Sequence, residues 1–314
     1  MRRSLSLVGF CLLLIQLNAF SWAQETVGLD DVVLPKPLKV KLTVDGYLFN
    51  REGVGGDYPV LLTNPFPAPT LLRSDELEFD SELGGRFELT IYDQTPNPTD
   101  LHFTYFTTGN AEAEEVRMSN PADAVFFGGV AANPSDVYTV QHFSKLQVGE
   151  VGLHKTLSPY FGVHAGLSGG RLEEVFDTLS QVNPPSGFFS YTKNKLYGAQ
   201  LGLDSQVWSN GYLKLDGHLT GGLYYNDIEV HARSLEDEFT WSEEDTAFLG
   251  TAGIALVIPA SPVNFRIGYQ ATYLSGVALA MEQSRQLSHF DGTGQVPTGD
   301  TVYHGLLFGI EWLR

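Results

Sequence analysis

The sequence predicts an all-β fold, a closed antiparallel transmembrane β-barrel of about ten strands, within a range of eight to twelve. Three observations predict it. Segments of about ten residues alternate apolar with small or polar residues, which is the period of a β-strand. Short and long connections alternate between these segments. After residue 24, no apolar run approaches the roughly 18 residues that a membrane-spanning helix needs.

The first 23 residues form a separate element. Arg2 and Arg3 precede a short apolar run, and a small-x-small pattern ends at Ala23, just as in a secretory signal and its cleavage site. We therefore expect secretion and removal of the signal near Ala23. The predicted organisation is a signal peptide over 1–23, a periplasmic N-terminal segment over 24–37 and an outer-membrane β-barrel over 38–314.

Composition excludes several classes of protein. The only cysteine, Cys11, lies within the signal, so the secreted chain has no disulfide and no thiolate metal ligand. The net charge of −18 becomes −20 once Arg2 and Arg3 are removed with the signal. Nucleic-acid binding relies on lysine and arginine to neutralise phosphates, so nucleic acid is not expected as a partner.

Ten segments carry the alternation of a strand. In one of them, Tyr197 and Leu201 fall on one face, whereas Gln200 and Asp204 fall on the other. In the fourth segment the apolar positions change parity after Val148, which predicts a β-bulge there. The predicted strands cover about 38–50, 83–93, 101–112, 136–154, 159–169, 191–208, 211–225, 246–258, 263–275 and 302–313.

Short and long connections alternate along the chain. Those after the second, fourth, sixth and eighth strands are short and rich in turn residues. An outer-membrane barrel has tight periplasmic turns on one rim and long extracellular loops on the other, and an even strand number puts both termini on the periplasmic side. The predicted long loops, which alternate with the short turns, are about 51–82, 113–135, 170–190, 226–245 and 276–301.

In such a barrel, the apolar face meets lipid and the polar face meets the lumen. An Arg or Lys on the lipid face costs roughly 2–4 kcal/mol near the midplane, so charged residues belong opposite the apolar positions of their strands. The predicted polar network of the lumen is Arg86, Glu88, Gln200, Asp204, Arg266, Gln270 and Glu311. The aromatic residues expected at the membrane interfaces are Tyr160, Trp208, Tyr212, Tyr303 and Trp312.

The chain ends with "YHGLLFGIEWLR", which reads as the closing strand of the barrel. Leu306, Phe308, Ile310 and Trp312 share the lipid face, so Glu311 faces the lumen. Arg266 on the ninth predicted strand is the expected partner of Glu311. The last strand must pair with the first, because closure removes both sheet edges.

Several strings resemble bacterial outer-membrane β-barrel proteins, and within that group the largely uncharacterised family abundant in planctomycetes. They are "LTVDGYLFNREG", "TKNKLYGAQLGLDSQVW", "FRIGYQATYLSGVALAMEQ" and "HGLLFGIEWLR". The resemblance implies an outer-membrane location, with outer-membrane lipid and the barrel-assembly machinery as partners. It implies no enzyme activity, cofactor or catalytic residue. The chain departs from many bacterial barrels in ending on Arg314 rather than on an aromatic residue.

One motif suggests hydrolase chemistry. "GLSGG", residues 166–170, matches G-x-S-x-G around Ser168, and "RLEEVFDTLSQ" after it can pass for a helix. A nucleophile elbow needs a strand–turn–helix context, and the rest of the chain lacks alternating strands and helices. The sequence therefore favours a glycine-rich strand end that enters a loop.

No metal or cofactor site is predicted. The eight histidines show no spacing that would place two ligands on one helical face, and His164 and His218 fall on lumen faces. The acidic stretch 235–245 lacks the spacing of a dedicated calcium loop and is expected to be a solvated loop.

The favoured function is a structural or surface-interaction barrel whose lumen is plugged by polar side chains and whose long loops meet an extracellular or envelope partner. Two alternatives stay open. The first is a small pore, although large aqueous channels need roughly sixteen or more strands. The second is an outer-membrane enzyme of the omptin kind, for which Asp227 and His231 are the candidate residues.

Overall fold

A computed structural model describes residues 39–53, 59–63, 70–73, 76–93, 98–118, 125–127, 130–132, 137–180, 187–233, 238–286 and 296–314. The predicted signal peptide and the segment 24–37 lie outside the described residues. In the described part of the chain, no helix is long and apolar enough to cross a membrane.

Strands make up most of the described chain, and one short helix, α1 (Ala280–Gln286), accompanies them. In chain order the strands are β1 (Lys39–Gly53), β2 (Pro59–Thr63), β3 (Thr70–Arg73), β4 (Glu82–Tyr92), β5 (Asp100–Thr107), β6 (Ala111–Met118), β7 (Val125–Phe127), β8 (Val130–Ala132), β9 (Val137–Ser158), β10 (Phe161–Ser180), β11 (Gly187–Ser209), β12 (Lys214–Arg233), β13 (Glu238–Ala260), β14 (Val263–Val277) and β15 (Gly299–Leu313).

Ten of these strands form a closed ring. Its order is β1, β4, β5, β9, β10, β11, β12, β13, β14 and β15, with each strand antiparallel to its neighbours. The ring closes because β15 pairs back to β1. The predicted all-β class and closed barrel are confirmed, and each of the ten predicted strands overlaps one strand of the ring.

The seam between the last strand and the first is continuous. β1 pairs with β15 from Lys41 opposite Leu313 to Gly53 opposite Thr301. Beyond this ladder, the backbone N–H and C=O of Arg314 each bond Val40 at 2.9 Å. The final residue is therefore part of the closure.

A β-bulge that the sequence did not predict lies on the strand next to β9. Thr107 of β5 is opposite Gln147, whereas Ala111 of β6 is opposite Ser144, so four residue steps on one side face three on β9. β5 and β6 thus form one wall strand interrupted by a bulge. Within it, Gly109 has φ +77°, and a Cβ there would lie 2.3 Å from the carbonyl oxygen of Leu83.

The prediction of a bulge in β9 itself was wrong. The pairing of β9 with β10 is continuous from Tyr138 to Thr156. Leu146 and Val148 point inward, where they are buried, while Val151 and Leu153 point outward. The apolar face changes from the inside to the outside of the barrel without a change of register.

The two rims of the barrel differ. Four short connections, 93–99, 159–160, 210–213 and 261–262, lie on the rim that also holds both ends of the described wall, Lys39 and Arg314. We call this rim the turn end and the opposite rim the loop end. The short connections are where the sequence predicted them.

Two of the five predicted long loops are wrong. β10 and β11 fill most of 170–190 and leave only 181–186 between them. β12 and β13 likewise reduce 226–245 to residues 234–237, so most of the acidic stretch 235–245 is strand and not loop. The connections 54–81, 119–136 and 278–298 are long, as predicted, and the first two contain β2, β3, β7 and β8.

The missed strand extensions have a physical cause. In β10 beyond Gly170, Leu172, Glu174 and Phe176 point inward and are buried. The residues between them, including Arg171 and Glu173, point outward. The alternation is that of a soluble sheet, apolar inside and charged outside, because this part of the wall lies beyond the apolar band.

That band, here called the outer belt, surrounds the half of the wall nearer the turn end. On β11 it runs from Val207 to Tyr197, about 33 Å along the strand at 3.3 Å per residue, or about 25 Å for a strand tilted by about 40°. Outward-facing members that are each at least 40% exposed include Val44, Leu48, Val151, Leu153, Leu167, Leu201, Leu203, Leu219, Leu223, Ile254, Ile267, Phe308 and Ile310.

Aromatic residues border the outer belt. Tyr160, Trp208 and Tyr212 are exposed at the turn end, as predicted for a membrane interface. The prediction that Tyr303 lies at a membrane interface was wrong, because its side chain is fully buried inside the barrel. Tyr303 shares the inward parity of Glu311 on β15, which places it in the lumen.

A small sheet accompanies the loop end. Its order is β3, β2, β7 and β8. Leu61 and Leu72 of this sheet are fully buried in one cluster with inward side chains of the wall, among them Tyr138 and Phe176. The small sheet therefore extends the apolar interior of the barrel.

Candidate functional site

The lumen is the candidate site, and its contents change along the barrel axis. Nearest the turn end, charged and histidine side chains surround a cavity of about 320 Å³. A second cavity of about 70 Å³ lies deeper, between polar residues and Phe106, Val148 and Leu249. Beyond these cavities come an apolar layer and then a buried polar cluster.

The predicted lumen residues all line these two cavities. Arg86, Gln200, Asp204 and Gln270 line the smaller cavity. Glu88, Arg266 and Glu311 line the larger one. All seven residues come from the inward parity of their strands.

Four of the seven belong to ion-pair networks near the turn end. Arg86 pairs with Glu88, which also contacts Lys41 at 3.1 Å. Arg266 contacts both Glu311, at 3.5 Å, and Asp45, at 3.3 Å. The predicted pairing of Arg266 with Glu311 is confirmed.

The other three form separate contacts. The Gln200 amide donates to Glu150 and its carbonyl oxygen accepts from Tyr224 at 3.0 Å. Gln270 accepts from Tyr47 at 2.8 Å. The structure therefore does not join all seven into one network.

Asp204 belongs to a histidine group. Asp204 Oδ2 lies 3.2 Å from His164 Nδ1 and 3.7 Å from His154 Nε2, and His154 Nδ1 lies 3.4 Å from Asp100. The ring of His102 stacks on that of His164, with centroids 5.5 Å apart. His164 lies in the lumen as predicted, and so does His218, 3.5 Å from Arg86.

Several members of the polar layer were not predicted from the sequence. Lys41 and Asp45 alternate with Leu42 and Val44 on β1, so their parity already indicated the lumen. His102 and Glu150 carry the same signal on their strands. The contacts between these side chains join residues far apart in the chain and have no sequence signal.

The apolar layer was not predicted. It consists of inward side chains at mid-barrel that pack against one another across the lumen, and Tyr47 and Phe49 stack with ring centroids 4.7 Å apart. Its largest members are each at most 2% exposed: Tyr47, Phe49, Leu146, Leu172, Leu196, Tyr224 and Tyr303.

A cluster of buried polar side chains around Glu174, here called the latch, lies between the apolar layer and the loop end. It lies beyond the outer belt. The Glu174 carboxylate pairs with Arg51, accepts from Ser144 at 2.8 Å and from the N–H of Ala280 at 3.0 Å, and lies 3.4 Å from His142. Burial favours the neutral form of Glu174, but Arg51 and the hydrogen bonds outweigh burial and lower the pKa of Glu174 to about 2. Burial lowers the pKa of His142.

The latch holds the segment that precedes and includes α1. Asn194 donates to the carbonyl of Ala278 at 2.9 Å and accepts from its N–H at 2.8 Å. Asn226 donates to Gly276 at 2.9 Å. Ala278 and Ala280 are fully buried, so this segment occupies the lumen near the loop end.

The hydrolase motif does not form a nucleophile elbow. Ser168 lies in the middle of β10, and its hydroxyl donates to the carbonyl of Gly149 at 3.2 Å. The stretch after it, which could pass for a helix, continues as strand to Ser180.

The omptin-like candidates also stay apart. Asp227 faces outward and pairs with Lys195 at 3.1 Å, whereas His231 pairs with Glu238 at 3.3 Å. In the described ranges, no group of three or more His, Cys, Asp or Glu side chains is arranged to hold a metal ion.

Comparison with solved structures gives several matches of low sequence identity. The outer membrane protease OmpT from Escherichia coli is 9% identical, with 90% of this chain and 99% of that chain covered and a TM-score of 0.48. The translocator domain of the autotransporter NalP from Neisseria meningitidis is 12% identical over 97% and 95%, with a TM-score of 0.36. The Pseudomonas putida toluene transporter TodX is 7% identical over 89% and 90%, with a TM-score of 0.29. No family model and no curated protein sequence matches the chain.

Proposed function

We propose that this protein is an outer-membrane β-barrel with a closed lumen, which acts through its surface and not by conducting solutes. The outer belt supports the membrane placement. A closed ring satisfies every wall N–H and C=O internally, and its outward apolar side chains suit hydrocarbon. The turn end would then face the periplasm, and the loop end the exterior.

The apolar layer carries the proposal of a closed lumen. Side chains such as Leu172, Leu196 and Tyr303 fill the middle of the barrel and are each at most 1% exposed. Above them, the latch holds the segment around Ala278 within the wall. A solute that passed through the barrel would have to displace both the apolar layer and the segment that the latch holds.

In this proposal apolar side chains close the lumen, whereas the sequence predicted that polar side chains plug it. The polar layer surrounds cavities, whereas the largest side chains of the apolar layer are each at most 2% exposed. The alternative of a small pore is therefore less well supported than the closed barrel. An outer-membrane enzyme of the omptin kind has no support from Asp227 and His231, which have separate partners.

Surface extensions favour an interaction role. The wall of β9 to β13 continues well beyond the outer belt with an outward face of charged residues, among them Lys193, Lys195, Asp227 and Glu229. We propose that this projecting wall and the connections around it meet an extracellular or envelope partner. Cleavage near Ala23, recognition by the barrel-assembly machinery and membership of the planctomycete-type family stay predictions.

Cell fractionation tests the membrane placement, followed by gel electrophoresis of unboiled and boiled samples. We call this comparison of heated and unheated protein the gel-shift assay. The protein should be recovered with outer membranes, and unboiled and boiled samples should migrate differently, because a closed barrel resists detergent until heated. A soluble periplasmic protein with no such shift would overturn the proposal. Planar-bilayer recording of the same folded sample tests the closed lumen separately.

A further inference from the structure

Three polar side chains meet on the outside of the barrel at the loop-side border of the outer belt. The hydroxyl of Tyr269 on β14 hydrogen-bonds Nδ1 of His304 on β15. On the other side of the imidazole, Nε2 lies 3.0 Å from Oε1 of Glu52 on β1. The three residues therefore form a hydroxyl–imidazole–carboxylate chain across the barrel seam.

The partners define the tautomer of the imidazole. An ionised carboxylate only accepts hydrogen bonds, so Nε2 carries the hydrogen and donates to Glu52. Nδ1 is then an acceptor, and the Tyr269 hydroxyl donates to it. This is the arrangement in which histidine can take the hydroxyl proton while a carboxylate orients the ring.

The position of the chain determines what it could meet. Tyr269 is 43% exposed and points outward, in the same strand face as Ile267 of the outer belt. The Glu52 side chain is 69% exposed, at the level where the outward face becomes polar. In a bilayer this border is the boundary between acyl chains and headgroups, where the ester carbonyls of lipids lie.

A fourth residue adds hydrogen-bond donors. Asn50 is opposite His304 in the β1–β15 ladder. Its side-chain oxygen accepts from Ser81 at 2.5 Å, which orients the amide with its N–H groups away from Ser81. These N–H groups are suited to an oxyanion that develops beside the imidazole.

We propose that Tyr269, His304 and Glu52 form a catalytic site for acyl esters of membrane lipids. The Tyr269 oxygen attacks the ester carbonyl while its proton moves to His304 Nδ1. Collapse of the tetrahedral intermediate breaks the ester bond, and the leaving alcohol takes that proton. Water, deprotonated by His304, then attacks the acyl-tyrosine, its C–O bond breaks to release a fatty acid, and His304 returns the proton to the Tyr269 oxygen. No oxidant, reductant or metal is needed.

The test measures fatty-acid release from phosphatidylethanolamine vesicles that contain the folded full-length protein. Tyr269→Phe removes only the hydroxyl, and His304→Gln removes the base. Each should lower the rate at least about 100-fold, as expected for loss of a nucleophile or its base. Glu52→Gln should have a smaller effect, because the Glu52 carboxylate acts through the imidazole and not on the ester itself.

Tyr273→Phe is the matched control. Tyr273 is the next tyrosine on the same face of β14, and its hydroxyl donates directly to Asp300 at 2.7 Å without an imidazole between them. This variant should keep the wild-type rate. The gel-shift assay must show that every variant is folded, so a failure of the barrel is distinguished from a failure of the site.

Release by the folded wild-type protein no faster than by the boiled protein would overturn the proposal. So would a Tyr269→Phe variant as active as wild type. Mass spectrometry of an acid-quenched reaction gives a second readout, because an acyl group should be found on Tyr269 and not on Tyr273.

Discussion

Arg266 and Glu311 meet across the β14–β15 pair, with Nη1 of the arginine 3.5 Å from Oε2 of the glutamate. Glu311 also accepts from the Asn264 amide at 2.8 Å. A charge two residues before the last leucine of the chain is thus held inside the barrel, while its neighbours Ile310 and Trp312 face outward.

Glu311→Leu should destabilise the folded barrel. It leaves the Arg266 and Asn264 donors without one acceptor in a partly buried site, at a cost of about 1–3 kcal/mol. The measurement is the fraction refolded in detergent at increasing urea concentration. Glu112→Leu, at an exposed position of β6, should change this little. Equal folding of both variants would remove the pairing from the account of stability.

The bulge at Gly109 offers a matched pair of glycine substitutions. Gly109 and Gly211 both have positive φ, +77° and +86°. A Cβ at Gly109 meets the Leu83 carbonyl at 2.3 Å, whereas one at Gly211 meets nothing within 4 Å. Gly109→Ala should therefore cost more than Gly211→Ala, which bears only the backbone strain of about 1 kcal/mol. Similar unfolding midpoints would show that the bulge yields to the new methyl group.

Asn194→Ala should loosen the segment around Ala278. It removes two hydrogen bonds to the Ala278 backbone, each worth about 1 kcal/mol. Limited trypsin digestion should then cut faster after Arg285 in α1. Thr240→Ala, on the outward face of β13, is the control and should keep the wild-type pattern. An unchanged rate for Asn194→Ala would mean that other contacts hold the segment.

The latch should weaken in acid. The pKa of Glu174 is lowered to about 2 in the folded protein, below its ordinary value of 4.5, so its contribution is complete above about pH 4.5 and is lost as the pH falls toward 2. The pKa of His142 is also lowered, so stability is lost as the pH falls below its ordinary value of 6.5.

Unfolding temperatures at about pH 7 and about pH 3 measure this dependence. Glu174→Gln should lower stability at the higher pH and reduce the difference between the two conditions. Glu112→Gln, at an exposed position, should leave that difference unchanged. A full acid sensitivity in Glu174→Gln would show that other groups cause it.

The wall was predictable because strand alternation is local. Tyr197 and Gln200, three residues apart, fall on opposite faces of β11 in both sequence and structure. The extensions were missed because the alternation reverses its meaning beyond the outer belt, where Glu173 faces outward and Phe176 inward. Beyond the outer belt the outward face carries charged residues and the inward face apolar ones, as in the sheet of a soluble protein.

Most of the interior needed the structure. Arg51 and Glu174 are 123 positions apart, and each looks like an ordinary surface charge in its own segment. The parity change in β9 was visible, but assigning it required knowledge that Leu146 packs in an apolar layer inside the barrel. The Tyr269–His304–Glu52 chain likewise depends on three strands that meet only at the closed seam.

Single-channel recording in planar bilayers tests the central claim most directly. The folded wild-type protein should give no conductance steps at high protein load, because we propose that the apolar layer and the latch close the lumen. A variant with Leu172→Ala and Leu196→Ala thins that layer and shows whether the layer limits leakage. Discrete, reproducible steps from the wild-type protein, absent from a boiled sample, would contradict the closed barrel and favour a small pore.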